Sequence, residues 1–187
     1  MSITHKPYRG FIKLIIGPMF SGKTTELLNE YDRYIIASRK CLLVKHSIDT
    51  RNTFIRTHSN IENRDCISCM YLKSINHLIV DYNAIFIDEI QFFDDAVMYC
   101  ENWANKGLII IAAGLSGTYK RTPFPIISEL ISKAEKIIIK DAICKETGKT
   151  ANFTMKINNS GNIIDIGSED KYKPVDRQTY MKLIEKS

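Results

Sequence analysis

The chain has 187 residues, 44% of them apolar and 25% charged, a balance that excludes both a disordered chain and a membrane-embedded one. Its formal charge, 26 − 21 = +5, suits a protein that handles phosphates but is too small to argue for a nucleic-acid polymer as partner. The five cysteines, Cys41, Cys66, Cys69, Cys100 and Cys144, are odd in number and mostly scattered, which excludes a disulfide scaffold and points to a reducing compartment, the cytoplasm by default.

Met1 to Tyr8 carries no apolar signal core, and the chain has no run of 18 apolar residues. Neither a secretory leader nor a membrane span is expected. At this length roughly 70% of the unfolded surface can be hidden in one core.

In chain order, Phe11 to Ile16 is the first apolar run, ending at Gly17. Thr24 to Ser38 follows with Leu27, Leu28, Tyr31, Tyr34 and Ile35 at helical spacing. Cys41 to Lys45 reads as a strand. Asn83 to Ile87, ending at Asp88-Glu89, reads as another. Asp94 to Asn105 is helical, with Ala96, Val97, Cys100, Trp103 and Ala104 on one side and Lys106-Gly107 as its stop. Leu108 to Ala113, ending at Gly114, is a third apolar run. Pro125 to Lys133 is a short helix, and Lys136 to Lys140 a fifth strand. Runs that are apolar on consecutive residues, short and β-branched, are strands covered on both faces. Strands alternating with helices mean an α/β domain with a mostly parallel sheet.

From about Asp141 the composition shifts to Gly, Asn, Ser, Lys and Thr. Ala151 to Ile157 and Asn162 to Ile166 flank Asn159 to Gly161, the pattern of a β-hairpin or ribbon. Tyr180, Leu183 and Ile184 would anchor a short terminal helix. The expected organisation is a nucleotide-binding α/β domain over residues 10–140 and a small second domain over 141–187.

Gly17-Pro18-Met19-Phe20-Ser21-Gly22-Lys23-Thr24 matches G-x-x-x-x-G-K-[ST] between a strand and a helix. The glycines let the backbone curl so that its N–H groups face a phosphate, and the helix adds its positive end. Lys23 would neutralise the β- and γ-phosphates, and the Thr24 hydroxyl would sit on Mg²⁺. Asp88 supplies the metal-side acid at a strand end, and Glu89 beyond it could take a proton from a hydroxyl or from water. These residues imply an NTP-binding phosphotransferase or NTPase and leave hydrolysis and transfer both open. Cys66-Ile67-Ser68-Cys69 is a C-x-x-C pair without a second pair, which reads as a loop-to-strand boundary.

Several blocks resemble the type II thymidine kinases, the cellular and poxvirus-like group. Gly17 to Leu27, including Thr25, is similar to their phosphate loop, and Asp88-Glu89-Ile90-Gln91-Phe92-Phe93 to their acidic motif, with Ile90 at a usual Gly. Ala113 to Phe124 resembles the segment lining the nucleoside pocket, with Ser116 at a usual Asp and Tyr119 at a usual Phe. Lys45 to Arg51 resembles a loop carrying an acid and an arginine, and Thr57-His58-Ser59 a lid, with Ser59 at a usual Asp. Phe153-Thr154 and Ile166-Gly167-Ser168 through Lys171-Tyr172 resemble the lasso that closes over the nucleoside. The resemblance runs from about Gly10 to Tyr172.

The resemblance implies a P-loop core of the RecA-like kind with a small lasso domain. It implies ATP and Mg²⁺ as cofactors and phosphorylation of the 5′-hydroxyl of thymidine or deoxyuridine. Glu89 would be the base, with Lys23 and Arg51 on the transferred phosphoryl, and Thr24, Asp49 and Asp88 on Mg²⁺ and its waters. Gly17 to Thr25, Asp88 and Gln91 would bind the nucleotide. Met19, Asp49, Arg51, Phe92, Leu115, Thr118, Tyr119, Phe124, Phe153, Thr154, Ile166, Gly167 and Tyr172 would surround the nucleoside. A homotetramer and feedback inhibition by thymidine triphosphate are implied as well. The family pins its lasso with zinc on two C-x-x-C pairs; here Cys144, Thr147, Asp176 and Thr179 stand at those positions, so the zinc is expected to be lost.

Overall fold

The computed structural model describes residues 10–48, 54–55, 64–157 and 171–185. In chain order its elements are β1 (Phe11–Gly17), α1 (Lys23–Ile36), β2 (Cys41–His46), β3 (Phe54–Ile55), β4 (Arg64–Asp65), β5 (Ile67–Cys69), β6 (Ala84–Asp88), α2 (Ala96–Asn105), β7 (Ile109–Leu115), α3 (Pro125–Ile131), β8 (Lys136–Ile139), β9 (Ala142–Ile143), β10 (Thr150–Ala151), β11 (Phe153–Lys156), β12 (Tyr172–Val175) and α4 (Arg177–Ile184). Six strands form one sheet in the order β5-β2-β6-β7-β1-β8, and every pairing in it is parallel. This is the α/β architecture expected.

The two faces of the sheet are sorted residue by residue. Ile12, Leu14 and Ile16 of β1, Ile85 and Ile87 of β6, and Ile110 and Ala112 of β7 join the cluster with Trp103 of α2 and Leu130 of α3. The alternating residues Ile15, Ala84, Phe86, Ile111 and Ala113 meet Leu27 and Leu28 of α1 on the other face. Tyr31 and Tyr34 pack edge-on against Phe86 at 5.2 and 5.6 Å. Because both faces are covered, the central strands run apolar on consecutive residues instead of alternating. Lys13 interrupts β1 on the α1 face, and its ammonium lies 3.2 Å from the Glu30 carboxylate of α1. A buried charge is tolerated there because it is paired.

The helix faces differ from the sequence reading at their ends. Ile35 is exposed, as is Ile131; both lie off the sheet-facing stripe. The stop of α2 is as expected: Gly107 adopts φ 93° and its N–H returns to Ala104 O at 2.8 Å, a left-handed exit that glycine makes cheaply. β5 begins at the loop-to-strand boundary read at Cys66-Ile67-Ser68-Cys69. Cys66, just before it, packs with the α1 side and Cys69, its last residue, with the α2 side, so the C-x-x-C pair does not converge.

Beyond β8 lies a small lobe. β9 pairs antiparallel with β10, and β11 with β12. Phe153–Lys156 pairs with Tyr172–Val175, a partner the sequence reading did not name; Asn162 to Ile166, the other half of the hairpin reading, lies outside the described residues. Pro174 within β12 hid that strand from periodicity, since proline is tolerated only where a ribbon has a free edge. Ala142, Cys144, Ala151, Val175 and Tyr180 form the lobe's own core, with Leu183 against it. Ile184 is exposed and is not an anchor of α4. Among the described residues no helix is long and apolar enough to cross a membrane.

Candidate active site

β1 delivers the chain at Gly17 into a tight turn. A Cβ on Gly17 would fall 2.3 Å from Lys140 O and 2.8 Å from Ser21 Oγ, so only glycine allows the loop to fold back there. Phe20 and Gly22 take positive φ of 64° and 75°, and Gly22 caps α1. The Ser21 hydroxyl donates to Pro18 O at 2.9 Å, and Lys23 Nζ donates to the same carbonyl at 2.7 Å. The result is a curled cradle at the positive end of a 14-residue helix.

β6 brings the acids. Thr24 Oγ1 donates to Asp88 Oδ2 at 3.0 Å, and Asp88 Oδ1 accepts the Glu89 N–H at 3.1 Å. Burial, then the neighbouring Glu89 charge, push the Asp88 carboxyl up to about 7. Lys23 is coupled to the same two acids: burial pulls its ammonium down while Glu89 and Asp88 hold it up. A buried carboxylate short of positive charge, facing a threonine hydroxyl at the mouth of a phosphate cradle, is the hard-oxygen donor set that Mg²⁺ takes. Thr24 and Asp88 therefore fit the metal.

Glu89 leaves the strand in a left-handed conformation, φ 53° and ψ 43°. Its Oε2 accepts from Gln91 Nε2 at 2.6 Å, and Gln91 Oε1 accepts the Leu115 N–H at 3.0 Å. Gln91, assigned to the nucleotide by resemblance, is thus buried between Glu89 and the end of β7. Its contact with Glu89 could not be read from the sequence, which gives no side-chain direction in the turn Ile90–Phe92.

The aromatic residues divide into two groups. Phe92 and Phe124 meet edge-on with ring centres 6.3 Å apart, and His46 lies 6.0 Å from Phe92. Tyr119 and Tyr172 share the Lys156 ammonium, at 5.4 and 5.9 Å. Tyr172 also lines a cavity of ≈ 640 Å³ between Phe20, Ser21 and Gly22 of the cradle and Asp141 to Ile143 of the lobe. Asp88 and Glu89 are not among its lining residues. Thr154 reaches the cradle directly: its Oγ1 accepts the Met19 N–H at 3.0 Å. Phe153, next to it, turns the other way and packs on Tyr180 at 5.8 Å, under Arg177 at 4.9 Å. The Tyr180 hydroxyl donates to Tyr119 O at 3.0 Å. Thr118 bonds within its own loop, 2.7 Å from Thr122. Asp49, Arg51, Thr57 to Ser59, Ile166, Gly167 and Ser168 lie outside the described residues.

Cys144, Thr147, Asp176 and Thr179 do converge, but on one another. Thr147 Oγ1 donates to Asp176 Oδ2 at 2.5 Å, Thr179 N–H to Asp176 Oδ1 at 2.7 Å, and Cys144 Sγ lies 3.8 Å from Thr179 Oγ1. The Thr147 hydroxyl and then the Thr179 N–H hold the Asp176 carboxyl below its ordinary range. Burial raises the Cys144 thiol, but the hydrogen bonding around it from Thr147 and nearby backbone outweighs that, bringing it to about 7. One thiol, one carboxylate and two hydroxyls, already satisfied internally, are not the nitrogen and sulfur set of a structural zinc. The residues do not fit that metal.

A model of the thymidine kinase family matches residues 10–180. The thymidine kinase of Raccoon poxvirus is 43% identical over 173 residues, 92% of this chain and 97% of that protein. That of Myxoma virus is 44% identical over 177 residues, again 92% and 97%. That of Amsacta moorei entomopoxvirus is 42% identical over 179 residues, 90% and 97%. Identity at this level, sustained from the cradle through the small lobe, leaves one conclusion: the chain belongs to the thymidine kinase family.

Proposed function

We propose that the chain transfers the γ-phosphoryl group of ATP to the 5′-hydroxyl of thymidine, giving dTMP and ADP. The observation that carries this reading is the meeting of Lys23 and Thr24 with Asp88 and Glu89 across the mouth of the cradle. Glu89 takes the hydroxyl proton as the oxygen bonds to the γ-phosphorus and the bond to the β,γ-bridging oxygen breaks; ADP departs. Lys23 and the cradle N–H groups hold the β- and γ-phosphates. Thr24 and Asp88 would hold Mg²⁺, which when bound neutralises phosphate charge. Arg51 on the transferred group and Asp49 beside the metal are assigned from the resemblance. Leu115, Phe92 and Phe124 are assigned to the nucleoside ring, with Thr118, Tyr119, Thr154 and Tyr172 closing over it; Phe153 supports the lobe from behind. Apolar walls discriminate a single methyl weakly, so deoxyuridine is accepted too.

The test is ADP release with ATP and Mg²⁺ in the presence and absence of thymidine. Release that depends on thymidine is expected; equal release in buffer would instead favour an ATPase.

One strand, β7, separates the cradle strand from the acid strand, which supports a RecA-like core over residues 10–140. Residues 141–187 form the lasso domain, tied to the cradle through Thr154. A homotetramer, thymidine triphosphate feedback and a cytoplasmic location complete the proposal; the five free thiols suit that compartment.

The zinc is replaced by the hydrogen-bonded cluster of Cys144, Thr147, Asp176 and Thr179. Asp176 also caps α4, so Asp176→Ala is expected to cost about 1–2 kcal/mol, read by thermal melting. The melting temperature of the unaltered protein should not move with chelator. One tightly held zinc per chain in metal analysis would sink the replacement.

A further inference from the structure

We infer that Gln91 is a positioning residue that holds the Glu89 carboxylate in its reactive orientation; the inference rests on Glu89 being the base. Glu89 stands on a left-handed turn residue beyond the end of β6. A glutamate side chain left to rotate there would populate many rotamers, and ordering it has an entropic cost. Gln91 is a partner that orders it. It is only 5% exposed, and the Leu115 N–H can meet only the oxygen end of its amide, at 3.0 Å. The nitrogen end must then face Glu89, where it donates to Oε2 at 2.6 Å.

The fixed point of this chain is β7. Leu115 is locked in register against Gly17, the first residue of the cradle. Gly114 makes the room: a Cβ there would come within 2.8 Å of Gln91 Oε1 and 2.7 Å of Ile90 Cγ2. The strand carrying the cradle's register therefore also sets, through one amide, where the base points. One donor of the amide and one lone pair of its oxygen are thus used inside the protein.

A double-mutant cycle tests this. Gln91→Leu is expected to lower kcat about 10- to 100-fold, the range for a displaced reacting group. The KM values for ATP and thymidine should change less than about twofold, since uniform binding is untouched. In a Glu89→Gln background the same change should lower the residual kcat by less than about twofold, because there is no base left to place. An equal loss in both backgrounds, or a loss carried by the KM for ATP, overturns the inference. Should Gln91→Leu fail to fold, Gln91→Glu replaces it. That variant keeps an oxygen toward Leu115 and loses the donor to Glu89; in the Glu89→Gln background the amide at 89 can donate back. Wild-type turnover in Glu89→Gln alone would remove the base, and with it this inference. A dead single variant with an additive cycle would remove this inference only.

Discussion

Glu89→Gln should lower thymidine phosphorylation by at least about 100-fold while ATP affinity changes less than about twofold. The substitution keeps the shape and the hydrogen-bonding oxygen toward Gln91 but removes the group that accepts the proton. The 5′-hydroxyl then has to lose its proton to water while the phosphoryl group moves. Lys23, the cradle N–H groups and the Thr24–Asp88 pair are left as they are, so nucleotide binding survives. Steady-state kinetics read the first effect and calorimetric titration with ATP the second. Turnover at the wild-type rate would reject Glu89 as the base. Turnover lost together with ATP binding would mean that the residue shapes the nucleotide site instead.

Trp103→Ala should cost about 3–5 kcal/mol of stability. Trp103 is wholly buried on α2 in the larger core cluster, and Tyr99 packs 5.5 Å from its ring. Its indole N–H donates to Asn76 Oδ1 at 2.8 Å. Removing the ring leaves a cavity against the sheet and an acceptor without its donor. For a chain of this size each kcal/mol moves the melting point about 2–4 °C, so a drop of about 6–20 °C is expected. Trp103→Phe keeps most of the volume but loses the second ring and the hydrogen bond to Asn76, so its drop should be smaller. A fall of less than about 3 °C for the alanine variant would show that the site collapses freely and is not a rigid packing point. Neither residue belongs to the cradle or the acid pair, so kcat per folded molecule should be retained at low temperature.

The strands that carry the chemistry were legible because they are buried on both faces. Burial of that kind favours apolar residues at consecutive positions, which a loop does not show. β5 was marked only by its boundary at Cys66, because a three-residue edge strand needs only one covered side. The cradle was legible because its glycines answer fixed backbone demands, the near contact of Gly17 with Lys140 being one. The partner of β11 was not, since hydrogen bonding across a ribbon leaves no mark on composition and Pro174 argued against a strand. The roles of Gln91 and Thr154 depend on side-chain direction, which spacing does not encode in a turn or a two-stranded ribbon. The meeting of Cys144 and Thr147 with Asp176 and Thr179 was foreseen only through resemblance. Nothing in one sequence places position 144 beside position 179.

Because β7 lies between β1 and β6, two inter-strand steps of about 4.8 Å separate the strand that leads into the cradle from the acidic one. That breadth is a repeat distance of the backbone ladder, and side-chain evolution cannot stretch or shrink it. A slip of one residue would shift Asp88 by about 3.3 Å and turn it to the opposite face. Acceptors of different bulk must therefore be accommodated above the strand tips, by the lobe and its neighbouring loops, while the distance the phosphorus travels stays constant. Enzymes sharing this sheet order can diverge widely in what they phosphorylate and scarcely at all in how far they carry it.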